Sequence, residues 1–406
     1  MREKFLIFEN VRQAIIICVV LLLGFGLGNN LSASYARSEM MTGSQYFFTL
    51  RYVLYSVVGL LCMLFVGSRF DYHRLLSPRF LKLSGTGTIL LLMLVRVAGR
   101  VVNGSRRWLG AGPVSFQPSE LAKVVAILIA AGFLGEYLRR GQRISLLHWP
   151  KAAPLAFALA ASGLVLIQPD MGTAAIILGL MLYMYIIAGI PKGQVLSIFI
   201  VGLAGAAGIA VLAPYRLNRL KVWLDPFIDP QGAGYQMVQA KLAIGSGGLF
   251  GMHWGQGTSK FFYLPEAHTD FAFAVFCQEW GFLGALVLIC LFALLAGAFY
   301  RLAIRTQDRK GFLLTCGCSF LIIGQSVANM AMVAGLLPVI GVPLMFISYG
   351  GTSLVINFFC IGLILSVYRL EAAREIREER MAAGLPPEDR NGLRVVHRGE
   401  DGRRGR

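Results

Sequence analysis

From residue 11 to residue 368 the chain alternates long apolar runs with short polar breaks. A helix needs roughly 20 apolar residues to cross the hydrocarbon layer of a membrane. Ten segments meet that measure, at about 11–29, 49–67, 81–99, 119–138, 151–168, 172–190, 194–213, 271–299, 312–337 and 343–368. The pattern predicts an all-α polytopic membrane protein with about ten transmembrane helices. A short N-terminal segment (1–10) precedes one membrane domain (11–368), and a basic tail (369–406) follows it. The longest break, 214–270, is expected to form a large loop between the seventh and eighth spans. The first run also looks like a signal sequence, because Arg2, Lys4 and Arg12 precede its apolar core and Ser34-Tyr35-Ala36 resembles a cleavage site. That site lies far beyond the core, so an uncleaved first helix is expected.

Composition agrees. The 406 residues are 56% hydrophobic and 15% charged, whereas soluble domains carry about 25% charged residues. With a mean hydropathy of +0.65, the chain is neither one compact soluble fold nor disordered. The seven cysteines all fall inside apolar runs without Cys-x-x-Cys or Cys/His ligand spacing, so a disulfide framework and a redox role are not expected. The net charge of +17 does not point to nucleic acid, because the basic residues sit in the short breaks and the tail. Cytoplasmic N- and C-termini place Arg69, Arg74, Arg79, Arg139, Arg140, Arg143, Lys192, Arg301, Arg305, Arg309 and Lys310 inside, as positive-inside topology requires. Arg100, Arg106 and Arg107 then fall outside, as do Arg216, Arg219, Lys221, Lys241 and Lys260 of the long loop. Either an anionic ligand binds on that face, or the long loop is translocated regardless of its charge.

Ionisable residues at membrane depth cost about 2.5–3.5 kcal/mol each on insertion scales, which makes each a candidate for function. Glu120 and Lys123 open the fourth span at i,i+3 and share a helix face, as an ion pair or as residues lying at the interface. Arg96, near the end of the third span, is expected to snorkel. Asp170 follows Gln168-Pro169 in a tight turn and suits a helix cap. In the long loop, Asp225-Pro226 and Asp229-Pro230 mark turns, and 234–241 reads as an amphipathic helix. The glycine-rich 244–251 lacks the Gly-Lys-Ser/Thr of a phosphate-binding loop. The loop ends in Tyr263-Leu264-Pro265-Glu266-Ala267-His268-Thr269-Asp270, which puts Asp270 at the mouth of the eighth span. Desolvation there raises a carboxylate's pKa and nearby cations lower it. Such a group suits general base work, but capping by Thr269 or Asp270 fits the spacing equally well. Gly350-Gly351, flanked by Ser348 and Thr352, either unwinds a helix beside a cavity or permits close packing.

Four stretches in this order resemble the SEDS family of cell-wall polymerases (FtsW, RodA and SpoVE). They are Asn103-Gly104-Ser105-Arg106-Arg107-Trp108 with Phe116-Gln117-Pro118-Ser119-Glu120-Leu121-Ala122-Lys123; Gln168-Pro169-Asp170-Met171-Gly172-Thr173; Leu264 to Phe271; and Ile347-Ser348-Tyr349-Gly350-Gly351-Thr352-Ser353. The resemblance spans about residues 10–370. Segments 234–239 and 262–268 are most similar to the FtsW branch, whereas 341–344 and 350–353 lean toward RodA. Met345 stands where the family usually has Pro, and Gln278-Glu279-Trp280 where an acidic pair and Leu are common.

The resemblance implies a peptidoglycan glycosyltransferase of the bacterial cytoplasmic membrane. Such an enzyme joins lipid II units into β-1,4 glycan at the outer face and releases undecaprenyl pyrophosphate. It further implies that Asp270 is the essential acid, with Glu120 and Lys123 as its nearby pair. Candidate substrate contacts are Arg106, Arg107, Trp108, Gln117, Ser119, Lys221, Lys241, His268, Thr269, Ser348, Gly350 and Gly351. An α-linked donor and a β-linked product need one inverting displacement, hence one base rather than the paired carboxyls of retaining glycosidases. No metal cage is visible, although a magnesium or manganese ion at the pyrophosphate is compatible with the reading. The implied partners are a class B penicillin-binding protein (an FtsI-like transpeptidase), other divisome proteins and membrane lipid. A lipid II flippase, a non-catalytic scaffold and a RodA-type elongation polymerase are the alternatives.

Overall fold

The computed structural model describes residues 10–102, 104–110, 115–146, 149, 151–211, 221–261 and 263–383. The expectations for Arg216, Arg219, the first nine residues and the tail beyond 383 lie outside the described residues. Ten helices overlap the ten expected segments: α1 (Val11–Thr42), α2 (Phe47–Arg69), α3 (Pro78–Ala98), α4 (Pro118–Arg139), α5 (Ala153–Ile167), α6 (Met171–Ile187), α7 (Lys192–Val211), then, beyond a loop helix α8 (Tyr235–Gly247), α9 (Ala272–Arg305), α10 (Arg309–Val333) and α11 (Gly351–Ala382). Among the described residues, seven of them (α1–α4 and α9–α11) are found long and apolar enough to cross a membrane. With 15 and 17 residues, α5 and α6 are shorter than expected: α5 starts at Ala153 and stops at the Gln168–Asp170 turn, and α6 stops at Ile187, before Gly189 turns left-handed (φ 83°).

Several boundaries differ from the sequence pattern, each for a local reason. Helix α1 continues to Thr42, so Ser34, Tyr35 and Ala36 lie within it, and it ends where Gly43 turns left-handed (φ 69°). Helix α11 begins at Gly351 rather than near 343. The intervening 343–350 is irregular: Ser348 Oγ accepts from Leu344 N at 2.9 Å, and the buried Phe346 adopts φ 64°. Its carbonyl is held by the Tyr52 hydroxyl and leaves no room for a side chain at Gly26 of α1. Helix α9 breaks at Gly281 (φ 65°, ψ −168°). There the glycine-rich 248–252 segment docks and satisfies the groups freed by the break, through Phe282 N to Gly248 O (2.9 Å), Leu283 N to Leu249 O (3.1 Å) and Met252 N to Gln278 O (2.9 Å).

The apolar pattern does not predict the small antiparallel hairpin after α3, although Asn103-Gly104 is a two-residue hairpin signal. Strand β1 (Arg100–Val102) pairs with β2 (Ser105–Trp108) around Gly104 at φ 74°, with an irregularity between Arg100 and Val101. Helix α4 is the hub of the bundle, with 72% of its apolar window buried against 28% for the peripheral α3. Helix α11 lies along α2 at close range: Gly59 of α2 faces Phe358, and Gly362 of α11 faces Met63 and Val66. Small residues let helix backbones approach where no water drives association.

Candidate active site

The site is a cavity of about 310 Å³ lined by segments from along the whole chain, including Tyr55 of α2. Strand β2 contributes Ser105, Arg107 and Trp108; the segment before α4 contributes Ser115 and Gln117; and α4 itself contributes Glu120. Asp170 and Thr173 come from the start of α6, Glu266, Thr269 and Asp270 from the end of the long loop, Gly341, Pro343, Tyr349 and Gly350 from the segment before α11, and Gly351 and Ser353 from its first turn.

Local chemistry places each group. Asp170 caps α6, with Oδ1 accepting from Thr173 N (3.1 Å) and Oδ2 from Thr173 Oγ1 (2.9 Å). Capping was the role expected of it, and the cap also aims the carboxylate into the cavity. Arg107 docks the hairpin on that same turn. Its Nε donates to Gln168 O (3.1 Å), Nη2 donates to Pro169 O, and Nη1 lies 4.0 Å from Asp170 Oδ2. Gly172 is obligatory here, since a side chain would strike the Ile340 carbonyl.

Asp270 does not cap α9. The cap residue is Phe271, and it makes no side-chain cap bond. Thr269 is spent on Glu266, donating to Oε2 at 2.8 Å. That excludes the capping alternative for both residues and leaves the Asp270 carboxyl facing the cavity. Gly341 (φ 65°) lies against it; a Cβ there would sit 3.5 Å from Asp270 Oδ2. Close packing, with Glu266 and Asp170 nearby, pushes the Asp270 pKa up to about 7, although Arg107 pulls the other way. A carboxyl with that pKa is partly ionised at neutral pH and still basic enough to take a proton. Glu266 adopts φ 53° and is held by Arg37 of α1 at 3.5 Å. Such backbone is uncommon for a side chain with Cβ and concentrates at functional sites.

Behind the cavity wall, Lys123 Nζ lies 2.7 Å from Glu120 Oε1 and 2.8 Å from Gln325 Oε1. The expected ion pair is therefore present, buried on both sides. Neither partner bonds to Asp270 among the described residues, so the pair acts on it only through the intervening structure.

Of the residues singled out from sequence, the cavity brings together Arg107, Trp108, Gln117, Glu120, Thr269, Asp270, Gly350 and Gly351. The others lie elsewhere. Arg106 points away, donating to Val97 O at 2.8 Å. Ser119 is buried behind Gln117 and accepts from its Nε2 at 3.1 Å. His268 is buried against Phe48, ring centroids 4.9 Å apart, and burial, then Arg37, pushes its pKa down to about 4. It is a neutral packing residue near pH 7. Ser348 is used within its own turn. Lys221 and Lys241 are exposed on the loop and do not line the cavity. Sequence reasoning passed over Glu266 and Tyr349 as single residues and missed Tyr55, Gln325 and Asn329 altogether.

The family model described as cell cycle protein (FtsW, RodA, SpoVE) matches residues 12–373. Stage V sporulation protein E of Bacillus subtilis (strain 168) is 36% identical over 355 residues, covering 87% of this chain and 96% of its own length. The probable peptidoglycan glycosyltransferase FtsW of Coxiella burnetii is 37% identical over 371 residues, 90% of this chain and 98% of the relative. Among solved structures, a chain from a peptidoglycan synthase complex superposes with a TM-score of 0.74 at 29% identity, covering 88% of this chain and 98% of that one. The rod shape determining protein RodA of Thermus thermophilus gives 0.64 at 28% identity, covering 90% and 98%. In sequence and in fold alike, this multi-pass membrane protein belongs to the FtsW/RodA/SpoVE family.

Proposed function

We propose that the chain is a peptidoglycan glycosyltransferase that polymerises lipid II, with Asp270 as its general base. The observation that carries this reading is the state of that carboxyl. It is uncapped, free of hydrogen bonds among the described residues and open to a cavity, with a pKa near 7. The acceptor's C4 hydroxyl gives its proton to Asp270 as its oxygen attacks C1 of the donor sugar. The C1–O bond to pyrophosphate breaks on the opposite face, undecaprenyl pyrophosphate leaves with the bonding electrons, and the α-linkage becomes β. Trp108 offers a flat face to a sugar ring, and Arg107 places a guanidinium on the same wall. The bilayer holds both lipid tails, so the protein has only to align two head groups, and such alignment can supply about 7–11 kcal/mol of the barrier reduction.

Among the described residues no three His, Cys, Asp or Glu groups approach closely enough to form a metal cage. A magnesium or manganese ion would be held by one or two of the cavity carboxylates together with the pyrophosphate oxygens. We place the active face outside the cytoplasmic membrane, both termini in the cytoplasm, and the enzyme in septal wall synthesis beside a class B penicillin-binding protein. The Coxiella relative's name supports the FtsW branch, the match to a peptidoglycan synthase complex supports a crosslinking partner, and the distribution of Lys and Arg supports the orientation.

The test is reconstitution of the full chain with lipid II and a class B penicillin-binding protein in liposomes. Wild type should yield glycan polymer, and Asp270→Ala should lose at least about 100-fold in rate, within the range for general base catalysis. Equal polymer from both would remove Asp270 from the mechanism. Movement of fluorescent lipid II across the bilayer without polymer would favour a flippase.

A further inference from the structure

Helix α10 carries two buried amides, Gln325 and Asn329, that the mechanism above does not use. They stand one turn apart on one helix face, directly after a π-helical turn at Phe320–Gly324. A π-turn inserts a residue into the helical register, and such turns recur at functional sites. At 3.6 residues per turn, removing that residue would swing both amides about 100° around the axis.

Asn329 is fully buried. Its Nδ2 donates to Asp270 O at 2.7 Å and to Val342 O at 2.6 Å. The two carbonyls fix the orientation of the amide, because a flipped group would set oxygen against oxygen. The cost is that Asn329 Oδ1 is left buried without a partner, which a purely packing residue would have no reason to bear. One NH2 group thus ties the main chain of the proposed base to residue 342, the neighbour of the Gly341 that faces its carboxyl. Gln325 repeats the device one turn away. Its Oε1 accepts from Lys123 Nζ at 2.8 Å, and its Nε2 donates to Pro343 O at 3.4 Å. From one helix face the two amides join the start of α4, the Asp270 segment and the 341–343 strap, three of the walls of the cavity.

We infer that Asn329 and Gln325 are positioning residues, which hold the Asp270 carboxyl and the Gly341–Pro343 strap at a fixed separation for proton abstraction. The inference rests on the glycosyltransferase reading and deepens it. The alternative is that the amides only glue α10 into the bundle, as buried polar groups in membrane helices do. The two differ in what reaches the base. Asp270 is faced by Glu266 from its own segment, Asp170 from α6 and Arg107 from β2, with Glu120 of α4 on the same cavity. If Asn329 sets its distance from these groups, releasing it changes the acidity of Asp270 as well as its aim. Loss of folded protein would scale the rate equally at every pH.

The experiment is the pH profile of glycan synthesis by the reconstituted full chain, for wild type, Asn329→Ala and Gln325→Met, normalised to folded protein. For Asn329→Ala, kcat should fall by about 10- to 100-fold, as for misplacement of about 1 Å. KM for lipid II should stay within roughly twofold, and the acid limb should shift by at least about half a pH unit. Gln325→Met should show the same split more weakly and stands in if Asn329→Ala does not fold. A uniform loss of rate with the midpoint unmoved, unchanged kcat, or failure of both variants to fold would overturn the inference. In those outcomes wild type still polymerises, so the glycosyltransferase reading survives; a wild type that makes no polymer takes both down.

Discussion

Two lysine–carboxylate pairs are buried among the described residues, and their geometry barely distinguishes them. Lys123 and Glu120 approach to 2.7 Å with side chains 1% and 5% exposed; Lys260 and Glu279 approach to 2.9 Å with 3% and 0%. Their surroundings differ. Lys260 Nζ also donates to Ser32 Oγ (2.7 Å) and Gly255 O (2.6 Å), and Ser32 Oγ donates to Glu279 Oε1 (2.5 Å). That cluster fastens α1 and the long loop to α9 two residues before its break at Gly281, and no cavity reaches it among those described. Glu120 instead lines the cavity, and the only other hydrogen-bond partner of Lys123 among the described residues is Gln325. Buried charge alone is therefore a poor marker of chemistry, since structural networks also bury ions. Access is what separates a joint from a site.

The sharpest way to break this comparison is to remove the lysine from each pair. Lys260→Met strands Glu279, whose Oε2 already lacks a partner. Losing one member of a buried pair costs about 3–5 kcal/mol. The expected result is a large fall in the thermal midpoint of the detergent-solubilised protein, with the rate per folded molecule nearly intact. Lys123→Met leaves Glu120 beside a cavity that water can enter, so its midpoint should fall less. Its polymerisation rate should fall more, by about 100-fold. Thermal unfolding and glycan synthesis measured on both variants decide the matter; parallel losses in both assays would erase the distinction.

A second test uses pH, to which an accessible site responds directly. Asp270 must be ionised to accept a proton, and its pKa lies near 7. Activity should therefore fall as pH drops through about 7, by close to tenfold for each unit below the midpoint. Asp170 is among the groups that hold this pKa up. Asp170→Asn keeps a capping side chain for α6 but removes the negative charge, so the Asp270 anion is favoured and the acid limb should move to lower pH. A limb that stays in place would mean that Asp170 does not act on the base.

How much of this was legible beforehand follows from the range of the forces involved. The apolar runs located ten helices, seven of them found long enough to span among the described residues, because an apolar run of about 20 residues is a local property. Asp170 as a cap and Glu120–Lys123 as a pair were readable for the same reason, each depending on neighbours three residues away. The Lys260–Glu279 joint was not, because Ser32 meets Glu279 across 247 positions of chain. The β1–β2 hairpin did leave a signal, Asn103-Gly104, but its strands are too short for periodicity to tell Arg106 from Arg107. Gln325 and Asn329 did carry a signal: two amides at i,i+4 inside an apolar run. Their partners, Lys123 and the Asp270 and Val342 carbonyls, are contributed by other segments. The irregular 343–350 stretch was hidden because its residues are apolar enough to read as helix, while Phe346 and Tyr52 settle its course from afar.

The two arginines of β2 repeat the contrast in miniature and give the smallest expected effect. Arg106 is exposed and bonded to Val97 O, so Arg106→Ala should change the glycan rate by no more than roughly twofold, matching the ±0.5 kcal/mol of ordinary surface substitutions. Arg107 spends Nε and Nη2 on the Gln168 and Pro169 carbonyls and keeps Nη1 toward Asp170 and the cavity. Arg107→Ala removes charge-assisted bonds worth about 1.5–3 kcal/mol, or roughly 10- to 100-fold in rate. Arg107→Lys then asks which part of the group matters. A lysine restores the charge but not the planar fork that reaches two carbonyls and the cavity at once, so most of the loss should persist. Full recovery with lysine would make the charge sufficient and the docking of the hairpin incidental. Equal losses at Arg106 and Arg107 would show that which way a side chain points from this strand has no bearing on turnover.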